Sequence, residues 1–261
     1  MSQDREFSPF KPSRRMRLDA LLAQKGLVES REKARAMILA GQVDVGGHRA
    51  LKAGTMVDVN ADVRVLGPEH PYASRGGLKL AHALEVFGMD VTGALALDIG
   101  ASTGGFTDSL LQRGARHVIA LDVGHGQLHW KLRQDPRVTV IEGSNARRLT
   151  RADLPDIGAG VDIVVIDVSF ISLALIFPVL PTLLRSSARV IALVKPQFEA
   201  GRKDVGKKGV VTKPEVHERV IADVTRAAAE VGLERRALTE SPITGAQGNK
   251  EYLMLLTPQP S

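Results

Sequence analysis

The 261-residue sequence contains no cysteine, few aromatic residues and no long apolar run. Without cysteine the chain forms no disulfides or thiolate metal sites and has no thiol nucleophile, a composition typical of a reducing compartment. Phe, Tyr and Trp make up 4% of the residues, which argues against a platform of aromatic rings for stacking nucleic-acid bases. The most apolar segment, residues 173–184, contains Pro178 and Pro181 and is shorter than the roughly 20 residues that cross a bilayer.

A secretion signal is also missing, because polar and charged residues fill most of the first 15 positions. We therefore expect a cytoplasmic protein without a membrane partner, and a monomer as the default state. Apolar residues make up 44% of the chain and charged residues 25%, values typical of a folded globular protein. The length fits one large domain or two smaller ones.

Positive charge is in excess, and the excess is concentrated near the amino terminus. The whole chain carries +6, and residues 1–52 hold eleven Lys and Arg against six Asp and Glu. An excess of this kind indicates an anionic partner, although a solvated basic face is the commoner explanation. Six basic side chains cluster in the tail and on two predicted short helices, as a phosphate-binding surface requires. They are Arg14, Arg15, Arg17, Arg31, Lys33 and Arg35.

Residues 1–15 are predicted to form a tail and residues 16–68 a small α+β domain. Leucines at helical spacing predict a first helix, Ser30 is placed to cap a second, and Gly46 with Gly47 predicts a hairpin turn. The pattern resembles the S4 RNA-binding domain. The matching segments are R-L-D-x-L-L at 17–22, S-R at 30–31, A-x-x-x-I at 34–38 and G-Q-V-x-V-x-G at 41–47. The resemblance implies docking onto structured RNA through backbone contacts.

After a linker at 69–75, residues 76–257 alternate apolar runs with helical patterns, and 258–261 form a short tail. This alternation predicts an α/β fold with a Rossmann-like, mostly parallel sheet covered on both faces. Buried strands are predicted at 94–98, 117–122, 138–142, 161–167 and 190–194, with a last, antiparallel strand at 252–256. Helices are predicted at 78–86, 107–113, 128–134, 174–184 and 215–231.

The strongest local signal is A-L-A-L-D-I-G-A-S-T-G-G-F-T at 94–107, an apolar strand that runs into a glycine-rich turn and a helix. Such glycines let backbone N–H groups approach a ligand. The spacing G-x-x-x-G-G is not the G-x-G-x-x-G that binds a dinucleotide. Asp98, two residues before the first glycine, is unsuited to a position beside a pyrophosphate and suits a ligand with positive charge. S-adenosylmethionine is therefore favoured over a dinucleotide, and a tight turn without a ligand is the third interpretation.

Further cofactor contacts are predicted at the ends of the next strands. Asp122 lies 22 residues after Gly100, where a carboxylate can accept hydrogen bonds from a ribose diol. Asn145 follows the third strand and either contacts an adenine or only forms a turn. The predicted cofactor-binding residues are Asp98, Gly100, Ala101, Ser102, Gly104, Gly105, Phe106, Asp122, Val123, Asn145 and Asp167.

Charged residues at strand ends form a candidate catalytic set. Asp167 and Lys195 follow predicted strands whose carboxyl ends face the ligand crevice of a doubly wound sheet. Glu251 can join them if its strand runs antiparallel, and Lys79 lies just before the sheet. Taken singly, each of these residues is more simply explained as a surface group or a helix cap.

The order Lys79, Asp167, Lys195, Glu251 resembles the Lys-Asp-Lys-Glu tetrad of FtsJ-type ribose 2′-O-methyltransferases. Over residues 16–256 the chain is similar to the TlyA family, also called hemolysin A. The motifs are S-R-G-G-L-K-L, D-I-G-A-S-T-G-G-F-T, D-V-G-H-G-Q-L, D-x-S-F-I-S-L and L-V-K-P-Q-F-E. The resemblance implies S-adenosylmethionine-dependent 2′-O-methylation of a cytidine in ribosomal RNA, with no metal ion.

The resemblance also implies a role for each member of the tetrad. Lys195 would activate the ribose hydroxyl, either electrostatically or as a base. Asp167 would orient Lys195 and the methyl donor. Lys79 and Glu251 would position the ribose and hold the charge state of Lys195.

The segment at 201–214, G-R-K-D-V-G-K-K-G-V-V-T-K-P, holds five basic residues and one acidic residue. A solvated flexible loop and a mobile clamp on RNA are about equally compatible with it. The clamp would use Arg202, Lys203, Lys207 and Lys208.

Two other function classes compete with the methyltransferase. One is an RNA-binding assembly factor with a vestigial catalytic domain, which the intact polar residues at all four tetrad positions disfavour. The other is a membrane-active cytolysin, which the missing signal and spanning segment disfavour. Because the chain stops soon after its last strand, without an extra helix, we expect 23S rRNA to be the substrate rather than both 16S and 23S rRNA.

Overall fold

The computed structural model describes residues 14–39, 41–66, 70–206 and 208–259. The chain folds into two compact units, Met1–Pro71 and Tyr72–Ser261. Most of the predicted tail at 1–15 and part of the linker at 69–75 lie outside the described residues.

The first unit is a small α+β domain. Its elements are β1 (Arg15–Arg17), α1 (Leu18–Gln24), α2 (Arg31–Leu39), β2 (Val43–Val45), β3 (His48–Arg49), β4 (Met56–Asp58) and β5 (Val63–Val65). Strands β3, β2 and β5 form one antiparallel sheet, and β1 pairs with β4. The cap and the turn predicted from the sequence are present. Ser30 Oγ accepts a hydrogen bond from the Lys33 N–H at 3.1 Å, and Gly46 and Gly47 adopt positive φ in the β2–β3 hairpin.

The core of the first unit forms where the two helices pack on these strands. Its fully buried side chains share the helical and alternating spacing that the sequence shows. They are Leu18, Leu21, Leu22, Ala34, Ile38 and Val43.

The second unit contains the α/β sheet and its helices. Its strands are β6 (Leu95–Ile99), β7 (His117–Leu121), β8 (Val138–Ile141), β9 (Val161–Ile166), β10 (Leu184–Val194), β11 (Leu233–Glu240) and β12 (Tyr252–Pro258). Its helices are α3 (Gly76–Val86), α4 (Gly105–Gln112), α5 (Trp130–Arg133), α6 (Pro196–Glu199) and α7 (Pro214–Ala229).

The seven strands have the order β11-β12-β10-β9-β6-β7-β8. Strands β10, β9, β6, β7 and β8 are parallel, and β12 runs antiparallel to both of its neighbours. This confirms the predicted mostly parallel sheet with a last antiparallel strand. Strand order reverses between β6 and β9, so a ligand crevice is expected outside the carboxyl ends of these two strands.

Both faces of the sheet are covered, as the continuous apolar strands predict. Along β6, Ala96 packs into one buried cluster with α3 and α4 residues, whereas Leu97 and Ile99 pack into a second cluster with α7 residues. All five residues of β6 are buried.

One prediction for this unit is wrong, and one strand was not predicted. The helix predicted at 174–184 is a pair of 3₁₀ turns, Leu173–Leu175 and Phe177–Thr182, and Leu184 already begins β10. Pro178 and Pro181 lack the N–H groups that an α-helix requires, which explains the shorter turns. Strand β11 was not predicted, because L-E-R-R-A-L-T-E is rich in charge. Among the strands that the structure describes, its one partner is β12, and it lies at the edge of the sheet.

Candidate active site

The glycine-rich turn between β6 and α4 is closely packed against its surroundings. Gly100 has φ +86°, and a Cβ at this position would lie 2.6 Å from the carbonyl oxygen of Asp167. Gly104 has φ +96°, and a Cβ there would lie 2.3 Å from a methyl group of Leu132. Each glycine is thus required both by its backbone conformation and by the atoms opposite.

Asp122, at the carboxyl end of β7, holds this turn in place. Its Oδ2 accepts a hydrogen bond from the Ser102 N–H at 2.8 Å, and its Oδ1 accepts one from the Gly124 N–H at 2.7 Å. Ser102 itself has φ +48°. A carboxylate has about four lone-pair sites, so Asp122 retains capacity to accept hydrogen bonds from a ligand hydroxyl.

A cavity of about 470 Å³ opens at the carboxyl ends of β6, β7 and β9. This volume lies in the range of cofactor sites. Six predicted cofactor residues line it, namely Gly100, Ser102, Asp122, Val123, Asn145 and Asp167. Asn145 also forms a turn, since its Oδ1 accepts a hydrogen bond from the Arg147 N–H at 3.1 Å.

Asp98 lies beneath the turn and is fully buried. Its Oδ2 accepts a hydrogen bond from the Thr107 hydroxyl at 2.6 Å, and Oδ1 has no hydrogen-bond partner among the described residues. Burial raises the pKa of Asp98 to about 7. Asp98 and Gly104, both predicted to bind the cofactor, line neither of the two cavities beside the turn. Asp98 instead accepts a hydrogen bond from Thr107 in α4, and Gly104 lies against Leu132.

A second, polar cavity of about 280 Å³ adjoins the first. Gly100, Ser102, Asp167 and Ser169 line both cavities. The predicted residues that line only the second are Lys79, Ala101, Gly105, Phe106 and Lys195. The site therefore consists of two compartments that meet at the turn and at Asp167.

Lys195 and Asp167 form an ion pair at the boundary between the compartments. Lys195 Nζ lies 2.6 Å from Asp167 Oδ1 and donates a hydrogen bond to Ser169 Oγ at 2.9 Å. Lys195 is 8% exposed. Its ammonium group is thus largely shielded from water and faces the second cavity.

Lys79 and Glu251 form the second ion pair of the predicted tetrad. Lys79 Nζ lies 2.5 Å from Glu251 Oε2, although 172 positions separate the two residues. Both side chains are buried, and Lys79 lines the second cavity while Glu251 lies behind it. Removing one partner of a buried pair leaves an uncompensated charge, at a cost of about 3–5 kcal/mol. The structure therefore brings all four tetrad residues together as two ion pairs.

Sequence reasoning did not identify Phe170 as a site residue. It lines the first cavity, is 90% exposed and has φ +64°, a conformation unusual for a bulky residue. Its ring centroid lies 4.9 Å from that of Phe198, and Lys195 Nζ lies 5.9 Å from the Phe198 ring centroid. The sequence showed the motif D-x-S-F-I-S-L but gave no sign of this backbone conformation.

Gly245 is a second residue that sequence reasoning missed. A Cβ at this position would lie 1.9 Å from Oε1 of Glu251. The absence of a side chain at 245 therefore leaves room for the buried Glu251 carboxylate.

The predicted RNA-binding residues of the first unit are all exposed. Arg17 and Arg31 share an ion-pair partner, Asp19, and Lys33 pairs with Glu29 at 2.9 Å. In the loop at 201–214, Lys203 and Lys208 are exposed. Lys207 and the side chain of Arg202 lie outside the described residues.

Membrane-spanning helices and metal-binding clusters are both absent from the part of the chain that the structure describes. No helix in this part of the chain is long and apolar enough to cross a membrane. No group of three or more His, Asp and Glu side chains within it could hold a metal ion.

Comparison with known proteins identifies both units. Residues 72–257 match the model of the FtsJ-like methyltransferases, and residues 16–63 match the S4 domain. The 16S/23S rRNA (cytidine-2′-O)-methyltransferase TlyA of Mycobacterium tuberculosis is 48% identical over 95% of this chain and 91% of its own length. The 23S rRNA (cytidine-2′-O)-methyltransferase TlyA of Campylobacter jejuni is 35% identical over 69% of each chain.

A solved structure gives the same result. A proposed hemolysin from Streptococcus thermophilus is 44% identical and superposes with a TM-score of 0.74, over 95% of this chain and 90% of the other. These matches confirm the family resemblance that the motifs indicated.

Proposed function

The chain belongs to the FtsJ-like methyltransferases and, among them, to the TlyA proteins, and from this premise we propose that it methylates a cytidine 2′-hydroxyl in 23S ribosomal RNA with S-adenosylmethionine as donor. One observation carries the proposal. The glycine-turn cavity and the polar cavity meet at Asp167, beside Lys195. A donor in the first cavity and a ribose in the second would come together at this boundary.

The first cavity suits S-adenosylmethionine, which supplies an electrophilic methyl group on a sulfonium. Gly100 lets the backbone approach a ligand, and Asp122 can accept hydrogen bonds from a ribose. Asp167 presents a carboxylate at the end of this cavity. A carboxylate there suits a donor that carries positive charge.

Lys195 acts on the acceptor. A ribose hydroxyl is a weak nucleophile at neutral pH. When its oxygen takes the methyl group from the sulfonium, the hydroxyl proton would pass to water, and a positive charge beside the oxygen stabilises the negative charge that develops on it. Asp167 and Ser169 hold the ammonium group of Lys195 in one position, so little reorganisation is needed when the oxygen reacts.

Lys79 and Phe170 position the acceptor nucleotide. Lys79 lines the second cavity and is kept in place by the hydrogen bond that it donates to Glu251. Phe170 presents an exposed ring at the rim of the site, where it can pack on a base that has left its stack. The S4 unit supplies the exposed basic side chains that bind the RNA backbone.

The choice of 23S rRNA rests on the relatives. The names of both TlyA relatives include 23S rRNA, whereas only one includes 16S rRNA. The modification of 23S rRNA is therefore what the two have in common.

The experiment is methyl transfer from methyl-labelled S-adenosylmethionine to purified unmethylated 23S and 16S rRNA, followed by mapping of 2′-O-methyl sites. We expect one methylated cytidine in 23S rRNA. Lys195→Ala should lower the rate at least about 100-fold without changing S-adenosylmethionine affinity. Lys250→Ala, which removes an exposed ammonium group paired with Glu240, is the matched control and should retain the rate.

Three results would contradict this proposal. Labelling of 16S rRNA alone would overturn the substrate. Full activity of Lys195→Ala would overturn its role. Binding of rRNA without binding of S-adenosylmethionine and without methyl transfer would favour an RNA-binding assembly factor with a vestigial methyltransferase domain.

A further inference from the structure

A buried carboxylate organises two of the basic side chains of the S4 unit. Asp19 lies in the first turn of α1, and its side chain is 1% exposed. Arg17 donates two hydrogen bonds to it, from Nε to Oδ1 at 3.1 Å and from Nη2 to Oδ2 at 2.8 Å. Nη2 of Arg31 lies 3.6 Å from the same Oδ1. The Asp19 carboxylate therefore holds two guanidinium groups. One belongs to Arg17, just before α1, and the other to Arg31, the first residue of α2.

The two guanidinium groups remain open to solvent. The side chains of Arg17 and Arg31 are 49% and 60% exposed. Gly54 borders Arg17 on another side, since a Cβ at 54 would lie 3.2 Å from Nη1 of Arg17. The guanidinium group of Arg17 is thus held by Asp19 and lies close to Gly54, while its side chain is 49% exposed.

Asp19 is ionised over the physiological range, because the hydrogen bonds from Arg17 hold its pKa below the usual value. A long basic side chain normally loses rotamer freedom when it binds a phosphate, and that loss lowers affinity. A side chain that is already held in place loses less. Arginine suits this use, because its planar fork can bind a carboxylate along one edge and a phosphate along another.

We propose that Asp19 is a positioning residue for RNA binding, which holds the guanidinium groups of Arg17 and Arg31 as a preformed pair for phosphates of the RNA backbone. The proposal rests on the proposed function, in which the S4 unit binds ribosomal RNA. It predicts a result opposite to that of simple electrostatics. Removing a negative charge from an RNA-binding surface should strengthen binding, whereas removing Asp19 should weaken it.

The experiment measures the affinity of the full chain for 23S rRNA over a series of salt concentrations. We expect Asp19→Asn to bind about tenfold more weakly than the unaltered chain. The slope of log affinity against log salt should stay the same, because every basic side chain keeps its charge. Arg17→Gln should instead lower both the affinity and the slope.

Asp62→Asn is the matched control. Asp62 also accepts two hydrogen bonds from an arginine two positions away, Arg64, but the Asp62 carboxylate is 59% exposed. This substitution removes the same charge from the same unit without freeing Arg17 or Arg31. We expect RNA affinity equal to or greater than that of the unaltered chain.

Two further variants separate positioning from loss of folding. Arg17→Lys keeps the charge of an exposed side chain but cannot form the two parallel bonds, so it should weaken RNA binding at an unchanged salt slope. In the Arg17→Gln, Arg31→Gln background, Asp19→Asn should have no additional effect on RNA affinity.

The possible failures can be distinguished. If the unaltered chain does not bind 23S rRNA, the proposed function fails together with this inference. If the unaltered chain binds but Asp19→Asn binds as well or better, only the inference fails. The inference also fails if Asp19→Asn weakens binding equally in the double-glutamine background, because Asp19 then acts by stabilising the unit.

Discussion

Asp98 shows how one buried carboxyl group can make stability depend on pH. Its pKa is about 7 in the folded chain because of burial, against about 3.9 for an unperturbed aspartate. Between pH 4 and 7 the folded chain therefore holds a proton that the unfolded chain has released. The free energy of unfolding then falls as pH rises through this window.

We predict that the free energy of unfolding of the ligand-free protein decreases between pH 4 and 7, and that Asp98→Asn reduces this decrease. The effect has an upper limit of about 4 kcal/mol for a shift of about three pH units. Urea unfolding at each pH measures it. Asp135→Asn is the control, because Arg137 holds the pKa of Asp135 below its usual value, so its contribution changes only at lower pH. Equal pH profiles for the unaltered chain and Asp98→Asn would contradict the prediction.

Most of the residues predicted from the sequence to bind the cofactor line one of the two cavities. The contacts that these residues make within the protein were not predicted. Asp122 was predicted to bind a ribose. The structure shows that its carboxylate accepts hydrogen bonds from the backbone N–H of Ser102 in the glycine turn and from that of Gly124. Phe170 was missed because its exposure and positive φ depend on the packing of neighbouring segments.

At the scale of elements, two chain segments that follow neighbouring strands are joined side by side next to the site. One is 169–173, after β9, and the other is 195–199, after β10. Lys195 donates to Ser169, the rings of Phe170 and Phe198 are in contact, and Glu199 accepts hydrogen bonds from the Ser172 hydroxyl at 2.6 Å and the Leu173 N–H at 2.9 Å. These contacts form a continuous series between the two segments, which begins at Lys195 beside the site and ends at Glu199.

We predict that Glu199→Ala lowers kcat with rRNA about tenfold and leaves the Kd for S-adenosylmethionine unchanged, because the acceptor side loses its alignment. Glu199→Gln should retain most activity, since an amide can accept from Leu173 and donate to Ser172. Steady-state kinetics and calorimetric titration measure the two quantities.

The matched control for Glu199 is Asp153→Ala. Asp153 likewise accepts hydrogen bonds from a backbone N–H and a hydroxyl, both of Thr150, but lines neither cavity of the site. Equal losses of kcat in Glu199→Ala and Asp153→Ala would show a general loss of stability. Unchanged kcat in Glu199→Ala would show that the contacts between segments 169–173 and 195–199 do not help to position the acceptor.

Most elements could be predicted from the sequence, because apolar periodicity directly reflects burial. The predictions for β6, β7, β8, β9 and β12 agree with the structure within about two residues at each end. Strand β11 could not be predicted, since an edge strand is held by backbone pairing rather than by an apolar pattern. The proline-containing segment before β10 satisfied the helical spacing but not the hydrogen bonding of a helix.

At the scale of the whole molecule, the charge is divided unevenly along the chain. Residues 1–52 carry +5 of the net +6, whereas the two tetrad ion pairs balance their own charges. RNA binding and cofactor binding should therefore respond differently to salt.

We predict that raising salt from 50 to 200 mM weakens binding of the full chain to 23S rRNA by up to about 10³-fold, if six basic side chains contact phosphates. The Kd for S-adenosylmethionine should change less than about threefold, because short-range contacts in a partly buried site are weakly screened. Filter binding and calorimetric titration at each salt concentration measure the two. The prediction would be contradicted if the affinities for 23S rRNA and for S-adenosylmethionine depended equally on salt concentration.

The sequence by itself determined which chemistry is open to this protein. Residue type decides this: a chain without cysteine cannot methylate through a cysteine adduct, and glycines at 100, 104 and 105 permit a close-packed turn. The sequence also determined which segment carries the basic charge, since the net charge of a segment depends only on the residues that it contains.

Only the tertiary structure decided how these groups act together. Lys79 pairs with Glu251, Lys195 with Asp167, and two cavities share a wall at Asp167. Asp19 likewise holds Arg17 and Arg31 together. Such pairings depend on distances between groups that lie far apart in the chain or on separate elements, and those distances are set only when the sheet and helices pack.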